Sequence, residues 1–262
     1  MPATTSAVPL ARADGVPPPA PDPVVLESVS KRYGRRRHAV DALREVSASF
    51  PRGTLTAVMG VTGSGKSTLL QCAAGLDAPT SGTVRLAGTD LRTLGRRRLS
   101  VLRRRRVGFV FQSLNLVPAL SVAENIALPL RLDGRRVDRE QVRQLAARVG
   151  IAAQLPRLPH TLSGGQQQRT AIARALITSP EVIFADEPTA ALDLVTAGHV
   201  LGLLRQAVDE LGQTVVVVTH DPAVAGYADR VLVLDGGRLV DELHGPDPAT
   251  VARLLRQPGA RR

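Results

Sequence analysis

The 262-residue chain is long enough to bury a full core, and its 44% hydrophobic and 22% charged residues are typical of a globular protein and exclude a disordered one. Aromatic residues make up only 2%, which argues against stacking on single-stranded nucleic acid, and the single cysteine, Cys72, excludes an intramolecular disulfide. The formal net charge of +11 comes almost entirely from arginine, which we interpret as codon preference on a solvated surface, with affinity for nucleic acid or anionic lipid as the alternative.

In chain order, the first predicted segment is a flexible tail at residues 1–22, which is rich in proline and alanine. Strand patterns follow at 24–30, 45–50 and 54–60, and the third of these runs into a glycine-rich turn. Later strands are predicted at 107–111, 181–186, 214–220 and 230–237, with helices at 66–76, 141–150 and 197–212. Strands that alternate with helices predict an α/β fold, here preceded by an antiparallel β portion.

The stretch 113–170 has no convincing strand pattern, so we expect an inserted helical subdomain there, within a main domain that spans 23–250. Residues 251–262 are expected to form a basic C-terminal tail. No run approaches the ~18 to 20 apolar residues that span a bilayer, and the N-terminus lacks the apolar core of a signal peptide. If a membrane is involved, we expect another chain to supply it.

The segment "GVTGSGKST", Gly60 to Thr68, fits the pattern G-x-x-x-x-G-K-[ST] between an apolar strand and a helix. Its glycines allow successive backbone amides to face one concavity, and the helix start adds a positive end. Lys66 would reach the outer phosphates, and the Ser67 hydroxyl would bind Mg²⁺. The alternative is a glycine-rich turn that binds nothing. No lysine stands in a guanine-reading N-K-x-D context, which favours ATP, and the motif predicts a P-loop NTPase core of the RecA-like kind.

Two adjacent carboxylates, Asp186 and Glu187, close the apolar strand in "VIFADEPTAALD". The carboxyl ends of parallel strands face the crevice that holds the phosphates. We therefore expect Asp186 to hold Mg²⁺ and Glu187 to polarise the attacking water. The alternative, two acidic residues that only cap the next helix, becomes minor beside an upstream phosphate loop.

Three single residues occupy positions that could complete such a site. His220 ends a strand and could donate a hydrogen bond to developing charge on the γ-phosphate, although a lone histidine is more often structural. Gln112 also ends a strand and, being neutral, suits a sensor of Mg²⁺ or water. Tyr33 could stack on adenine, and ordinary surface packing of this ring is nearly as well supported by its spacing.

A second glycine-rich helix start occurs in "TLSGGQQQRTAIARAL", residues 161–176. Ser163, Gly164 and Gly165 are expected to leave three bare backbone amides, followed by glutamines that offer no strong acid, base or nucleophile. The segment predicts an anion-binding helix start with no chemistry of its own.

Taken in this order, the motifs resemble the nucleotide-binding subunit of an ATP-binding-cassette (ABC) transporter over roughly residues 24 to 245. The resemblance implies that Tyr33 stacks on adenine, that Gln112 links catalysis to the permease and that Glu187 is the catalytic base. It also implies that Asp193 crosses a dimer and that His220 is the switch histidine.

Within that superfamily, the segments 76–91 and 111–130 resemble the lipoprotein-releasing and macrolide-exporter group, and the cell-division ATPase with a related permease is similar too. Two departures stand out. Val61-Thr62 replaces the usual Pro-Ser of the phosphate loop, and Ala190-Ala191 replaces the Gly-Asn common in this group. The first shapes the loop without side-chain contact to phosphate, and the second weakens only the group assignment.

The resemblance implies an ATPase at the cytoplasmic face of the cell membrane that powers a separate permease, for export or extraction of a lipophilic or peptide-like substrate. A role in division or signalling without cargo is the alternative. Two chains would form a homodimer in which each ATP lies between one phosphate loop and the partner's "LSGGQ", with no nucleic-acid partner. The arginine runs at 95–108 could meet lipid headgroups, against a solvated face.

The expected catalytic residues are Glu187, His220 and Gln112, and the expected Mg²⁺-associated residues are Ser67, Gln112 and Asp186. The residues expected to contact ATP are Tyr33, Gly60, Val61, Thr62, Gly63, Ser64, Gly65, Lys66, Ser67, Thr68, Ser163, Gly164, Gly165, Gln166 and Asp193.

Overall fold

The computed structural model describes residues 21–34 and 38–255, which form two β-sheets and seven α-helices. The strands are β1 Val24–Tyr33, β2 Val40–Phe50, β3 Leu55–Met59, β4 Ser81–Leu86, β5 Thr89–Asp90, β6 Val107–Val110, β7 Val182–Asp186, β8 Val215–Thr219, β9 Arg230–Asp235 and β10 Arg238–His244. The helices are α1 Lys66–Ala73, α2 Arg96–Arg106, α3 Val122–Leu132, α4 Arg139–Arg148, α5 Gly164–Leu176, α6 Leu194–Leu211 and α7 Pro248–Leu255.

The smaller sheet has four strands in the order β2-β1-β4-β5, and all its pairings are antiparallel. Val24 and Leu26 of β1 alternate in burial as the sequence predicts, and Val29 is buried as well after the first of three register shifts in the pairing with β2 between Leu26 and Arg32. The expected antiparallel β portion is therefore present at the start of the described chain.

The larger sheet has six strands in the order β10-β9-β3-β8-β7-β6. The five strands from β9 to β6 are parallel, and β10 is added antiparallel at one edge. β3 and β8 are buried along their whole length. Continuous burial explains why these strands read as unbroken apolar runs, since parallel sheets are covered on both faces.

Two hydrophobic cores lie on opposite faces of the larger sheet. Alternate β8 residues divide between them, with Val215 and Val217 in the core that includes α3, α5 and α6, and Val216 and Val218 in the core that includes α1 and the smaller sheet. The α/β fold predicted from the sequence is confirmed by this layered arrangement.

Between Val110 and Val182 the chain is helical, with α3, α4, α5 and two short 3₁₀ turns. α3 begins with a capping box between Ser121 and Glu124, and its inner face is buried against α5 and α4. α5 continues to Leu176, past residue 170. The division of the chain into a main domain and a helical subdomain at 113–170 stays a prediction.

Two helices differ from the sequence expectations. α2 lies where only a charge run was recognised, and its last arginines are engaged: Arg105 binds Asp133, and Arg106 binds Glu181 at 2.8 Å. α7 spans Pro248–Leu255 and buries Val251 in the core. Residues 251–255, which were expected to begin a basic tail, are therefore part of a packed helix. Residues 1–20, 35–37 and 256–262, which include most of the predicted tails, lie outside the described residues.

Glu181 joins three parts of the chain just before β7. Its carboxylate forms ion pairs with Arg106 and, at 2.7 Å, with Arg52, which precedes β3. Its backbone amide donates to the Arg106 carbonyl at 2.9 Å. This junction lies at the amino-terminal edge of the larger sheet, opposite the strand ends that carry the candidate site.

Candidate active site

Three neighbouring parallel strands end at one edge of the larger sheet, in the order β3, β8, β7. The glycine-rich loop follows β3, Asp186 and Glu187 close β7, and His220 follows β8. Because parallel strands present their carboxyl ends at the same edge, the fold brings these motifs together, as the sequence predicted.

The loop between β3 and α1 depends on glycine at two positions. A Cβ on Gly60 would lie 2.1 Å from the Leu234 carbonyl oxygen, and one on Gly65 would lie 2.3 Å from the Ala42 carbonyl oxygen. Gly65 also has a φ of +104°, in the left-handed region. It precedes α1 without a side-chain cap, so the first amides of α1 are left to an external acceptor.

The Lys66 ammonium lies within the loop and donates to the carbonyl oxygens of Gly60 at 2.8 Å and Val61 at 3.0 Å. Only 8% of the residue is exposed. Burial lowers the pKa of Lys66, and the nearby Glu187 and Asp186 carboxylates oppose that shift. A buried ammonium held only by neutral carbonyls fits a site for an anionic group.

Ser67 and Asp186 place two hard oxygen donors side by side, with Oγ of Ser67 and Oδ1 of Asp186 3.4 Å apart. Burial and the neighbouring Glu187 raise the pKa of Asp186. The described residues contain no cluster of three or more His, Cys, Asp or Glu that could hold a metal ion. One hydroxyl and one carboxylate fit Mg²⁺, which takes few protein ligands and completes its shell with phosphates and water.

Both carboxylate oxygens of Glu187 are hydrogen bonded. The Thr219 hydroxyl donates to Oε2 at 3.0 Å, and His220 Nδ1 lies 2.8 Å from Oε1. Glu187 has a φ of +46°, which is uncommon for a residue with a side chain, and its amide donates to the Val218 carbonyl at 2.8 Å. The carboxylate is therefore held in one orientation by β8 and the residue after it.

The start of α5 is partly closed by its own side chains. Ser163 Oγ accepts from the Gln166 amide at 3.3 Å, and Gln166 Oε1 accepts from the Ser163 amide at 3.1 Å, which forms a capping box. The expectation of three bare amides is therefore wrong at Ser163, because the glutamine three residues later returns to it.

The start of α5 packs directly against the start of α6. A Cβ on Gly165 would lie 2.7 Å from Cγ2 of Thr196, so glycine permits the close approach. Asp193 caps α6 by accepting from the amides of Val195 and Thr196. No described hydrogen bond or ion pair links the Ser163–Gln166 segment to the Gly60–Thr68 loop of the same chain.

Two predicted residues lie at the margins of the strand-end site. Gln112 follows β6 and is exposed, and no described hydrogen bond joins it to Ser67 or Asp186. Tyr33 ends β1 with 40% of its surface exposed, and its hydroxyl donates to Asp77 Oδ2 at 2.7 Å. The roles expected for Gln112 and Tyr33 stay predictions.

Sequence reasoning missed two partners of the predicted residues. Thr219 holds Glu187, and its position directly before His220 was the available signal. Asp77 holds Tyr33, but 44 residues separate them and no local pattern joins them.

Comparisons with known proteins place the chain among ATP-binding cassettes. A model of the ABC transporter family matches residues 43–190. LolD of Bordetella pertussis, the ATP-binding protein of a lipoprotein-releasing system, is 44% identical over 215 residues, which is 81% of this chain and 93% of that protein. The bacitracin export ATP-binding protein BceA of Halalkalibacterium halodurans is 37% identical over 227 residues, 85% of this chain and 90% of that protein.

A longer relative and a solved structure agree with this placement. The macrolide export ATP-binding/permease protein MacB of Salmonella typhimurium is 42% identical over 223 residues, and the match spans only 34% of that protein. The dimeric cassette MJ0796 in a post-hydrolysis state with ADP and Pi has a TM-score of 0.78 at 38% identity, covering 85% of this chain and 99% of that one. The predicted resemblance to the lipoprotein-releasing and macrolide-exporter group is confirmed.

Among the described residues, no helix has the length and the apolar character needed to cross a membrane. The glycine-rich loop, the carboxylates at the end of β7 and the comparisons all agree: this chain belongs to the ABC transporter family, as an ATP-binding ATPase subunit.

Proposed function

We propose that this chain hydrolyses ATP to power a separate membrane permease, which exports or extracts a lipophilic or peptide-like substrate. The observation that carries the proposal is the orientation of Glu187 at the strand-end edge, beside Asp186 and the Lys66 loop. LolD and BceA, whose names describe ATP-binding proteins of release and export systems, support the transport role.

The residues around the loop divide the binding of Mg²⁺-ATP between them. The first amides of α1 and the Lys66 ammonium would bind the outer phosphates, exchanging the carbonyls of Gly60 and Val61 for phosphate oxygens. Ser67 and Asp186 would hold Mg²⁺, which neutralises charge on the β- and γ-phosphates when bound. The other loop residues, Thr62, Gly63, Ser64 and Thr68, complete the cradle.

Glu187 would act as the base that accepts a proton from the attacking water. Its hydrogen bonds from Thr219 and His220 fix the carboxylate, so that a water placed in line with the γ-phosphate meets it in one geometry. When Nδ1 of His220 donates to Glu187, Nε2 is the nitrogen available to a phosphate, and it can donate only if the ring is protonated.

The start of α5 would act in trans in a head-to-tail homodimer. Each ATP would lie between the Gly60–Thr68 loop of one chain and Ser163, Gly164, Gly165 and Gln166 of the other, with Asp193 crossing between them. The neighbouring cassette structure is dimeric, which supports this arrangement. Closure on ATP and release after hydrolysis would drive the permease, with Gln112 and the helical segment carrying the motion.

The chain would associate peripherally with the cytoplasmic face of the membrane through its permease. A role in division or signalling without cargo is the alternative, and the names of the relatives do not favour it.

Glu187→Gln tests the assignment of the base. The amide keeps an oxygen for the Thr219 hydroxyl but cannot accept a proton at neutral pH, so we expect turnover to fall by about 100-fold or more while ATP binding is retained. An ATP-bound dimer should accumulate and be visible by size-exclusion chromatography. Glu210→Gln, on the exposed side of α6, is the matched control and should hydrolyse ATP normally. Near wild-type turnover in Glu187→Gln would overturn the assignment.

A further inference from the structure

Tyr33 belongs to a compact cluster at the end of β1 that sequence patterns did not reveal. Asp77 accepts from the Tyr33 hydroxyl through Oδ2 at 2.7 Å and from the Lys31 ammonium through Oδ1, also at 2.7 Å. Lys31 donates in addition to the Ala78 carbonyl at 2.7 Å, and its nitrogen lies 4.8 Å from the centroid of the Tyr33 ring.

The cluster fixes how the Tyr33 ring is presented. The hydroxyl is held at one end by Asp77, and the Lys31 cation lies over one face at cation–π distance. The ring nevertheless keeps 40% of its surface exposed. A planar group can therefore stack on Tyr33 on the side away from Lys31.

Lysine is unusual in this chain. Lys31 and Lys66 are its only lysines among 34 cationic residues, and Lys66 lies in the phosphate loop. An ammonium is a compact charge with three donors, and Lys31 directs two of them to Asp77 and Ala78 while 12% of its side chain is exposed. A planar guanidinium presents its donors in a different geometry, so arginine is not an equivalent replacement for Lys31.

Asp77 connects the ring to the helix that carries the phosphate loop. It lies just beyond the end of α1, and its amide donates to the Gln71 carbonyl of α1 at 3.1 Å. The ring is thus anchored to α1 rather than only to its own strand.

The surroundings keep the Tyr33 phenol protonated and the Asp77 carboxylate ionised, so one donates and the other accepts. Burial, followed by the hydrogen bond to Asp77, raises the pKa of Tyr33, so the phenol stays a donor. Burial opposes ionisation of Asp77, but the hydrogen bonds from Lys31 and Tyr33 hold its pKa below the ordinary value.

We propose that Asp77 and Lys31 are positioning residues for the nucleotide base, because they lock Tyr33 so that a purine stacks on its open face. This inference rests on the proposed adenine-stacking role of Tyr33 and adds the two residues through which that role would be set.

The composition of the chain supplies a direct probe. The sequence has no tryptophan and only two tyrosines, Tyr33 and Tyr227. A Tyr227→Phe chain therefore reports Tyr33 emission alone, and a Tyr33→Leu chain that keeps Tyr227 corrects for light absorbed by ATP. In the Tyr227→Phe background, ATP should quench the emission by stacking on the ring. Absence of quenching would overturn the stacking role of Tyr33, and with it the inference.

Asp77→Ala in the same background tests the inference itself. Removing the acceptor should raise the ATP concentration for half-maximal quenching by about 3- to 10-fold, and KM for hydrolysis by a similar factor, with kcat within about twofold. Quenching with unchanged half-saturation in Asp77→Ala would overturn the role of Asp77 while leaving Tyr33 as a platform.

Two further measurements separate positioning from a general effect on folding. In the wild-type background, Tyr33→Phe should also raise KM, and the double variant should be no worse than Asp77→Ala alone, because Asp77→Ala already removes the Tyr33 hydrogen bond. Ribose 5′-triphosphate, which lacks the base, should be hydrolysed with the same KM by wild type and Asp77→Ala. A KM defect that persists with this substrate, or additive effects, would contradict the inference.

Lys31→Arg should give a smaller rise in KM for ATP than Asp77→Ala, and no rise at all would contradict the role of Lys31. Asp209→Ala breaks an aspartate–arginine pair on the distant helix α6 and is the matched control. It should leave KM and quenching unchanged.

Discussion

Two helices of this protein begin at glycine-rich segments, and their starts are built differently. α1 follows Gly65 without a side-chain cap, and the nearby Lys66 ammonium is buried against neutral carbonyls. α5 follows Ser163 with a complete capping box, in which Ser163 and Gln166 satisfy each other's amides. The first amides of α1 have no side-chain acceptor, whereas at α5 the amides of Ser163 and Gln166 are satisfied by the chain itself and no described hydrogen bond satisfies those of Gly164 and Gly165.

The difference teaches that similar glycine content can serve two kinds of anion site. The uncapped start of α1 leaves backbone amides without a side-chain acceptor beside the buried Lys66 ammonium, so it can bind phosphate in a single chain. The start of α5 is capped within its own chain, so it would bind a phosphate only when a second chain brings the nucleotide to it. This division matches a nucleotide bound first by α1 and then covered by α5 of a second chain.

Ser163→Arg should have the largest effect of these variants, and it tests the start of α5. A bulky cation at this position should block closure over a nucleotide held by a partner, lowering ATP hydrolysis by about 100-fold. Nucleotide affinity of the monomer, measured by calorimetry, should not change. Ser179→Arg, at the opposite edge of the sheet, is the control and should be fully active. Loss of binding by the Ser163→Arg monomer would contradict action in trans.

Lys66→Met should weaken nucleotide binding by the monomer, which Ser163→Arg should leave unchanged. Removing a charge-assisted donor from the loop should weaken ATP binding by the monomer about 10- to 100-fold. The same calorimetric titration measures this loss. If the affinity of Lys66→Met equalled that of wild type, α1 would not be the first binding site, and the contrast with α5 would fail.

Ser163→Ala tests the cap itself, apart from catalysis. Loss of the side-chain acceptor should lower the free energy of unfolding by about 1 kcal/mol, measured with urea in the absence of nucleotide. Ser163→Thr retains the hydroxyl and should restore most of this stability. Equal stability of the alanine variant and wild type would show that the capping box contributes nothing to α5.

Asp186→Asn should give the smallest change in stability, a modest gain for the nucleotide-free chain, although Mg²⁺-dependent hydrolysis should be lost. Because burial and the neighbouring Glu187 raise the pKa of Asp186 above its ordinary value, its ionised form disfavours the fold at neutral pH. Protonation relieves this cost, so the difference in the free energy of unfolding between variant and wild type should narrow as pH falls through the raised pKa of Asp186. Urea midpoints at several pH values measure this trend, and a constant difference would contradict it.

The structure is predicted best from sequence where a short segment by itself specifies its local conformation. The loop from Gly60 to Thr68 and the apolar strand before Asp186 are local patterns, and the sheet order then brings them together without further information. By contrast, α2 has no apolar periodicity. It is stabilised by contacts such as Arg106–Glu181, between residues 75 positions apart. Such pairings become visible only after the chain has folded.

The candidate site shows the same limit at finer scale. Asp186 and Glu187 follow from their position at a strand end, but the contacts that orient Glu187 come from the next strand, β8. Gln166 was recognised as part of the second glycine-rich start, yet its return to the Ser163 amide closed a group expected to be bare. In each case a side chain's partner decided the outcome, and residue type alone did not reveal it.

The ion pairs of Glu181 affect the positions of Asp186 and Glu187 at the other end of β7. β7 is buried along both faces, and a slip of one residue would move Asp186 into the place of Glu187, or Glu187 into the place of Asp186. Arg52 and Arg106 hold Glu181 at the far end of the strand and act as a stop against such a slip. Ion pairs at one edge of the sheet thereby help to fix the strand register that places the two carboxylates at the other edge.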